Sequence, residues 1–422
     1  MNKLVFVLAL TLLGTPAATA PPRTDLDSVR VWNEFALNAV RVTRATDADA
    51  ARMYAMVNVA LYDAVNGLGG HRAPAVIAGP GPHGADRQAA ASAAAHAVLT
   101  RLDPARAADY DARLAADLAR LPGGSAVTKG ATWGRTVGEA VVLTRATDGS
   151  TPVESQPAGT GPGVFRAAWS GVQYRDVTPF AVADPARYVP AAPPALTSVS
   201  YAGAFAETAV LGDAALPDAD LLATFQYWSL PAGSDQPPGE WLRIALSVSH
   251  ARALSLPDQS RLTALLTMAL ADTTVATVAT KYAYRHWRPT TAIREADTDG
   301  NPVTVANPAW AARAGSAGST PEYVSGHSSY SSAGATVLAL YFCDDAIGFT
   351  HATDSAPGGT ARSYPGFSAA AAEAGRSRVF GGQHFEFSDQ AGQSLGRGVA
   401  SEVVATGLLT TRGPTHHGAC PS

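Results

Sequence analysis

Lys281-Tyr-Ala-Tyr-Arg-His-Trp-Arg288-Pro289, Ser325-Gly326-His327 and Ser377-Arg378-Val-Phe-Gly-Gly-Gln-His384 are the three segments around which this chain is organised. Of their charged groups, one Lys (281) and two Arg (288 and 378) are enough to bind a multiply charged oxyanion. A Ser-Gly pair offers a hydroxyl and an approachable backbone N–H, and two His can do proton or bond-making work. The spacing of Lys281 and Arg288, seven apart, predicts two helical turns with both side chains on nearly one face. Pro289 then stops or kinks that helix and leaves Arg288 near its C-terminal end.

Ser325-Gly326-His327 precedes a Ser/Ala-rich helix. Free N–H groups and the positive dipole end make such an N-terminus a ready oxyanion site. Gly381-Gly382 predicts a turn that aims His384 into the interior, and Arg378 offers bidentate recognition of two oxygens. Each segment alone also has an ordinary reading. Arg288 would complement a helix C-terminus, Ser325 would be a plain N-cap, and a His beside Gly-Gly is common in loops. Lys occurs only at 3, 129 and 281, in a chain that otherwise uses Arg. A Lys at 281 therefore points to a compact charge with rotatable donors.

Together the segments, Lys-x6-Arg-Pro, Ser-Gly-His and Ser-Arg-x5-His, resemble the signature of the type 2 phosphatidic acid phosphatase and vanadium-dependent haloperoxidase superfamily. Trp287-Arg-Pro-Thr-Thr-Ala-Ile-Arg294, Pro321-Glu-Tyr323 and Ala55-Met-Val-Asn-Val-Ala-Leu-Tyr-Asp63 look like its soluble bacterial haloperoxidase branch. The specific motifs cover residues 281–396. The resemblance implies that Lys281, Arg288, Ser325, the Gly326 N–H and Arg378 bind the equatorial oxygens of vanadate, or of phosphate in the same site. It implies that His384 is the direct vanadium ligand or a phosphorus-attacking nucleophile, and that His327 is the acid/base group. Hydrogen peroxide, a halide and a small organic acceptor would be the substrates, with Lys281 polarising the bound peroxide oxygen. A soluble acid phosphatase working through a phosphohistidine at His384 is the alternative. An oxyanion-binding protein without turnover is a third. Two positions depart from the family pattern. Val324 replaces the Pro before Ser-Gly-His, and Ser388 stands where an Asp would orient the second His. Ser388 is expected to cap the following helix instead.

Outward from these segments, the 422 residues predict an all-α fold, a large helical bundle with long Pro/Gly-rich loops. Helical periodicity runs through two helices from Val31 to about Asn66, through 87–121 and 127–147, and again from Ala204 to 285. Further helices are expected at 328–342, 367–376 and about 389–408. Residues 148–200 read as one long Pro/Gly-rich loop, a length that is commonly functional and that could cover an active-site mouth. Residues 344–366 read as a second loop. The expected organisation is an N-terminal helical region and long loop over 21–200, a catalytic helical domain over 201–410 and a tail over 411–422.

Residues 1–20 carry Lys3, an apolar run from Leu4 to Leu13 and Ala18-Thr19-Ala20, the pattern of a secretory signal peptide. Export to the periplasm or medium with cleavage near Ala20 is expected, with no membrane span thereafter. A net charge of -4 argues against a general nucleic-acid binder. An oligomer of identical copies is compatible with the composition. Export would permit a disulfide between Cys343 and Cys420, the only two cysteines. Asp63 and His96 read as capping, surface or satisfied interior groups, His286 as a packing partner of Trp287, and His416-His417 as part of a polar end.

Overall fold

The structure, a computed structural model, describes residues 27–411. The expected signal peptide, Cys420 and His416-His417 lie outside them. Among the described residues the chain forms thirteen α-helices: α1 Ser28–Thr43, α2 Asp47–Asn66, α3 Arg87–Leu102, α4 Ala107–Arg120, α5 Ser125–Thr144, α6 Val199–Leu211, α7 Ala219–Tyr227, α8 Gln236–Ala251, α9 Leu256–Tyr284, α10 Pro289–Arg294, α11 Gly326–Phe342, α12 Phe367–Phe380 and α13 Glu386–Thr406. The fold is all-α, as the periodicity predicts. Two short antiparallel pairs are the only sheets among the described residues: β1 Ser155–Gln156 with β2 Trp169–Ser170, and β3 Phe349–His351 with β4 Arg362–Tyr364. The β3–β4 hairpin, in register Phe349↔Tyr364 and His351↔Arg362, lies inside the expected 344–366 loop. Strands of three residues are too short to show a period of two.

The long helix α9 is the axis. It is apolar all round, as a helix buried on every side must be, and α2, α8, α11 and α13 pack around it. By length and composition it could cross a membrane, but 94% of its apolar window is buried inside the protein. A single main core joins α1–α3 to α8, α9 and α11–α13, so apolar packing runs across the boundary expected near residue 200. A second cluster of Tyr201, Phe205, Trp287, Trp310 and Phe385 backs the Arg288–His384 region.

Two buried aspartates tie loops to this frame. Asp63 on α2 accepts the backbone N–H groups of Ala75, Val76 and Ile77 at 2.7, 2.9 and 2.7 Å. Asp272 on α9 accepts those of Phe180, Ala181 and Val182 at 2.6, 2.8 and 2.8 Å. Asp63 is thus neither a helix cap nor a surface group but an internal loop anchor, 1% exposed. His96 is satisfied by Asp111 at 2.7 Å. The 148–200 segment wraps α9: Phe165 N–H donates to Arg285 O, Trp287 N–H to Gly163 O, and Tyr284 Oη and Tyr323 Oη reach Pro190 O and Ala191 O.

Close helix packing brings α13 onto the start of α11. A Cβ at Gly396 would sit 2.1 Å from Ser329 O, and one at Gly392 2.7 Å from Ser325 O. Only glycine permits that approach. Cys343 terminates α11 in the left-handed region, with φ 57°, and is not a free thiol.

Candidate active site

The site is assembled from the ends of helices. Lys281 lies in the last turn of α9, buried, and its Nζ donates to Pro321 O. The helix stops at Tyr284 because Arg285 adopts φ 47°, a left-handed C-cap. Arg288 is therefore not on the Lys281 face of one helix, as the spacing predicts. It is the extended N-cap of α10, and Pro289 opens that helix rather than ending the previous one. The turn at 285–288 still delivers Arg288 inward, 5% exposed. Its Nη1 donates to Gln383 O at 2.8 Å and to His384 Nε2 at 2.9 Å, and its Nε to Thr320 O at 2.7 Å.

Ser325 is both a site residue and the N-cap of α11. Its Oγ accepts from Ser328 N–H at 3.3 Å, and its own N–H donates to Ser388 O at 3.3 Å. Gly326 and His327 open the helix, so their N–H groups have no intrahelical acceptor. The peptide between Tyr323 and Val324 is cis. His327 is half-buried, with Nε2 3.1 Å from Ser229 O. Arg378 comes from the last turn of α12, 5% exposed, and contacts Gln383 Oε1, Trp228 O and the Phe225 ring.

His384 follows the Gly381-Gly382 turn and points inward, 4% exposed. Its Nδ1 lies 3.1 Å from Glu322 Oε1 and 3.3 Å from Ser388 Oγ. An arginine can only donate, so Nε2 carries a lone pair towards Arg288 and Nδ1 carries the proton towards Glu322. Glu322 is fully buried, also accepts the Phe385 N–H at 3.0 Å, and lies 3.5 Å from His286 Nδ1. Ser388 lies within the first turn of α13, whose N-cap is Phe385. It does not cap the helix; its Oγ bonds Glu322 O at 3.1 Å. His286 lies beside Glu322, with Nδ1 3.1 Å from Trp287 O, in keeping with its expected place next to Trp287.

The electrostatics of this cluster are one-sided. Lys281, Arg288 and Arg378 are all buried, while Glu322 is the carboxylate bonded to the cluster, and through His384 rather than through a cation. Burial, reinforced by Arg288, pushes the pKa of Lys281 well below its ordinary value and Arg378 down to about 9; burial alone, opposed by Glu322, brings Arg288 down to about 10. Burial likewise holds both His384 and His327 well below the usual histidine range, with Arg288 and Arg378 the next causes in turn. Arg378 Nε is buried with no hydrogen-bond partner. Buried charge without compensation is costly. A polyanion bound among these donors would remove that cost, so the residues present suit vanadate or phosphate.

All seven residues expected at the site converge here. Two acids escaped the sequence reading. Glu322 was visible within Pro321-Glu-Tyr323, yet nothing in that tripeptide points to His384, 62 residues away. Asp47, in the first turn of α2, places Oδ2 3.7 Å from where a Cβ of Gly326 would stand. An acid in a first helical turn reads simply as dipole compensation.

Residues 261–410 match the family described as the VCPO second helical-bundle domain. The fold is similar to that of a bacterial vanadium-dependent iodoperoxidase, described as the first of its kind (TM-score 0.78, 20% identity, covering 92% of this chain and 97% of that one). It is also similar to a bacterial vanadium-dependent chloroperoxidase in two forms, each with TM-score 0.64 and 17% identity. The apo form covers 84% of this chain and 91% of its own, the holo form 91% and 93%. No protein of curated function matches the chain significantly in sequence. The family likeness thus lies in residues 261–410, and over most of its length the chain shares the fold of these bacterial vanadium-dependent peroxidases.

Proposed function

We propose that the chain is a vanadate-dependent haloperoxidase that oxidises halide with hydrogen peroxide. The observation that carries this reading is His384: its Nδ1 is held by Glu322, and its Nε2 lone pair meets Arg288, one of three buried cations (with Lys281 and Arg378) that form no salt bridge to a carboxylate among the described residues. A neutral imidazole fixed through its other nitrogen is the form that ligates a metal. Lys281, Arg288, Arg378, Ser325 and the Gly326 N–H would hold the oxygens of vanadate, and His384 its metal. When bound, vanadate supplies the Lewis acidity that activates hydrogen peroxide towards halide.

The chain's own groups do the rest. Arg288 and Arg378 hold negative charge in a buried, low-dielectric setting where such contacts are strong. Lys281 offers a proton-bearing cation at the side nearest Asp47. His327, neutral and less buried than His384, holds the proton on Nε2 against Ser229 O at 3.1 Å, because a carbonyl can only accept; Nδ1 is then the nitrogen that takes and returns a proton. The relatives of known structure named above are described as iodo- and chloroperoxidases, which supports the class and leaves the halide to experiment. The signal-like pattern of residues 1–20 supports export with cleavage near Ala20, which the intact mass of the exported protein tests.

The deciding experiment splits one metal-free preparation into halves with and without orthovanadate. Peroxide-dependent bromination and hydrolysis of a chromogenic phosphate ester are measured on both. Bromination that requires vanadate and is lost in His384→Ala is expected. Ester hydrolysis inhibited by vanadate, with no bromination, would make the chain a phosphatase acting through a phosphohistidine at His384.

A further inference from the structure

The other end of α9 carries a second cationic centre. Arg261 lies twenty residues before Lys281, about 30 Å along the helix from the site above. It is 1% exposed. Its Nε reaches Leu408 O at 3.4 Å and its guanidinium lies 5.4 Å from the Tyr341 ring centre, but its Nη2 is buried with no partner. Arg72 approaches from the loop after α2, where its backbone bridges to Thr410 and its carbonyl accepts from Asn66 Nδ2 at 2.9 Å. Its Nη1 is likewise buried and unpartnered. The two guanidinium groups repel each other strongly enough that Arg72 ranks directly after burial in depressing the pKa of Arg261.

Among the described residues, neither arginine forms an ion pair with a carboxylate. Asp63, nearby on α2, has both oxygens engaged by the 75–77 backbone. Tyr62 and Tyr341, which border both arginines, spend their hydroxyl protons on Ala73 O and Asp258 O. Arg261 is buried and Arg72 half-buried with its Nη1 enclosed, and two like charges so placed without a counter-charge should be expensive. Replacing such a pair by apolar groups costs little, whereas leaving it unpaired costs much, so a counterion is the physical resolution.

We propose that Arg72 and Arg261 form a structural anion site that takes a single halide ion. Each arginine has one unpartnered buried nitrogen, and a monatomic anion accepts from both with no further donors. A tetrahedral oxyanion would need more donors than these two nitrogens, since the Tyr62 and Tyr341 hydroxyl protons are already given to Ala73 O and Asp258 O. Arg72 also lines a groove of about 430 Å³ formed by residues 66–85, so the Arg72 side of the pair is open to solvent. The site ties the loop after α2 and the segment after α13 to the start of α9.

The test uses the full chain without vanadate and without turnover, so it stands or falls apart from the proposed activity. Melting is followed in sodium bromide, sodium chloride and sodium gluconate at equal ionic strength. Halide is expected to raise the wild-type midpoint by roughly 2–3 °C over gluconate, as ligand binding to the native state requires. Arg72→Gln should abolish that increment. Arg261→Met, which removes one of two repelling charges at similar volume, should also abolish it while melting in gluconate no lower than wild type. Crystals grown in bromide should give an anomalous peak between the two guanidinium groups. An increment that survives in Arg72→Gln, or a bromide crystal with no peak there, overturns the proposal.

Discussion

Glu322 Oε1 stands 3.1 Å from His384 Nδ1, and the same carboxylate meets the Phe385 N–H and approaches His286. The orienting acid thus comes from the turn before α11, not from the helix that carries His384. Two histidines hold Glu322 far below the usual carboxylate range even though burial opposes ionisation. Glu322→Gln keeps the shape and removes the charge. Vanadate affinity, measured by calorimetric titration, should fall by about 10–100-fold, the range for loss of such outer-shell partners. An unchanged affinity with a native circular dichroism spectrum would reduce Glu322 to a structural role.

Asp272 carries three backbone N–H groups of the long loop. An amide in its place would turn an NH2 group towards donors. Asp272→Asn should cost about 1–3 kcal/mol in urea unfolding, the scale for leaving buried polar groups unmatched. Protection of the Phe180–Val182 amides against hydrogen exchange should fall more than that of α11.

Gly396 sets the distance between α13 and the Ser325–Ser329 turn. Gly396→Ala must push Ser329 O away, at a cost of about 1–3 kcal/mol typical of overpacking. Because Ser325 and Ser388 move with those helices, vanadate binding should weaken in the same variant. A thermal midpoint equal to wild type would contradict the close approach.

Glu240 and His351 form a buried contact beneath the β3–β4 hairpin. Burial raises Glu240 from 4.5 to about 7 and lowers His351 from 6.5 to about 4. The Glu240 contribution is present below pH 4.5 and lost as pH rises through about 7. The His351 contribution is present above pH 6.5 and lost as pH falls through about 4. Between about pH 4.5 and 6.5 the folded pair keeps one proton on Glu240 while the unfolded chain keeps one on His351, so the two slopes cancel. Removing one partner should expose the other. Over that window His351→Gln should lose stability relative to wild type as pH rises, and Glu240→Gln should gain it, both read from urea midpoints. Parallel pH profiles for the two variants would refute the assignment.

Much of this molecule was legible in advance because helices and charged motifs are local signals. The periodicity of α2, α9 and α11 and the residue types at 281, 288, 325–327, 378 and 384 are readable one segment at a time. What failed was geometry set by single residues. Seven-residue spacing places Lys281 and Arg288 on one helix face unless Arg285 turns left-handed, and nothing in its neighbours announces that it does. Ser388 looked like a cap because Ser often is one, yet the helix begins earlier. Glu322 required knowing that two segments 62 residues apart meet. The same holds for Arg72 and Arg261, whose pairing follows only from the packing of α2 against α9.

The two loop anchors differ in how far along the chain they reach. Asp63 grips residues 12 to 14 positions away, whereas Asp272 grips residues 90 to 92 positions away. Closing the longer loop costs about three doublings of length, or roughly 2 kcal/mol more chain entropy. On a ribosome the first anchor can engage while α9 is still unmade; the second must wait until Asp272 emerges. The N-terminal helices therefore have a local assembly step of their own. The cationic site, whose groups span residues 281 to 384, can become complete only after the residues of both anchors have emerged.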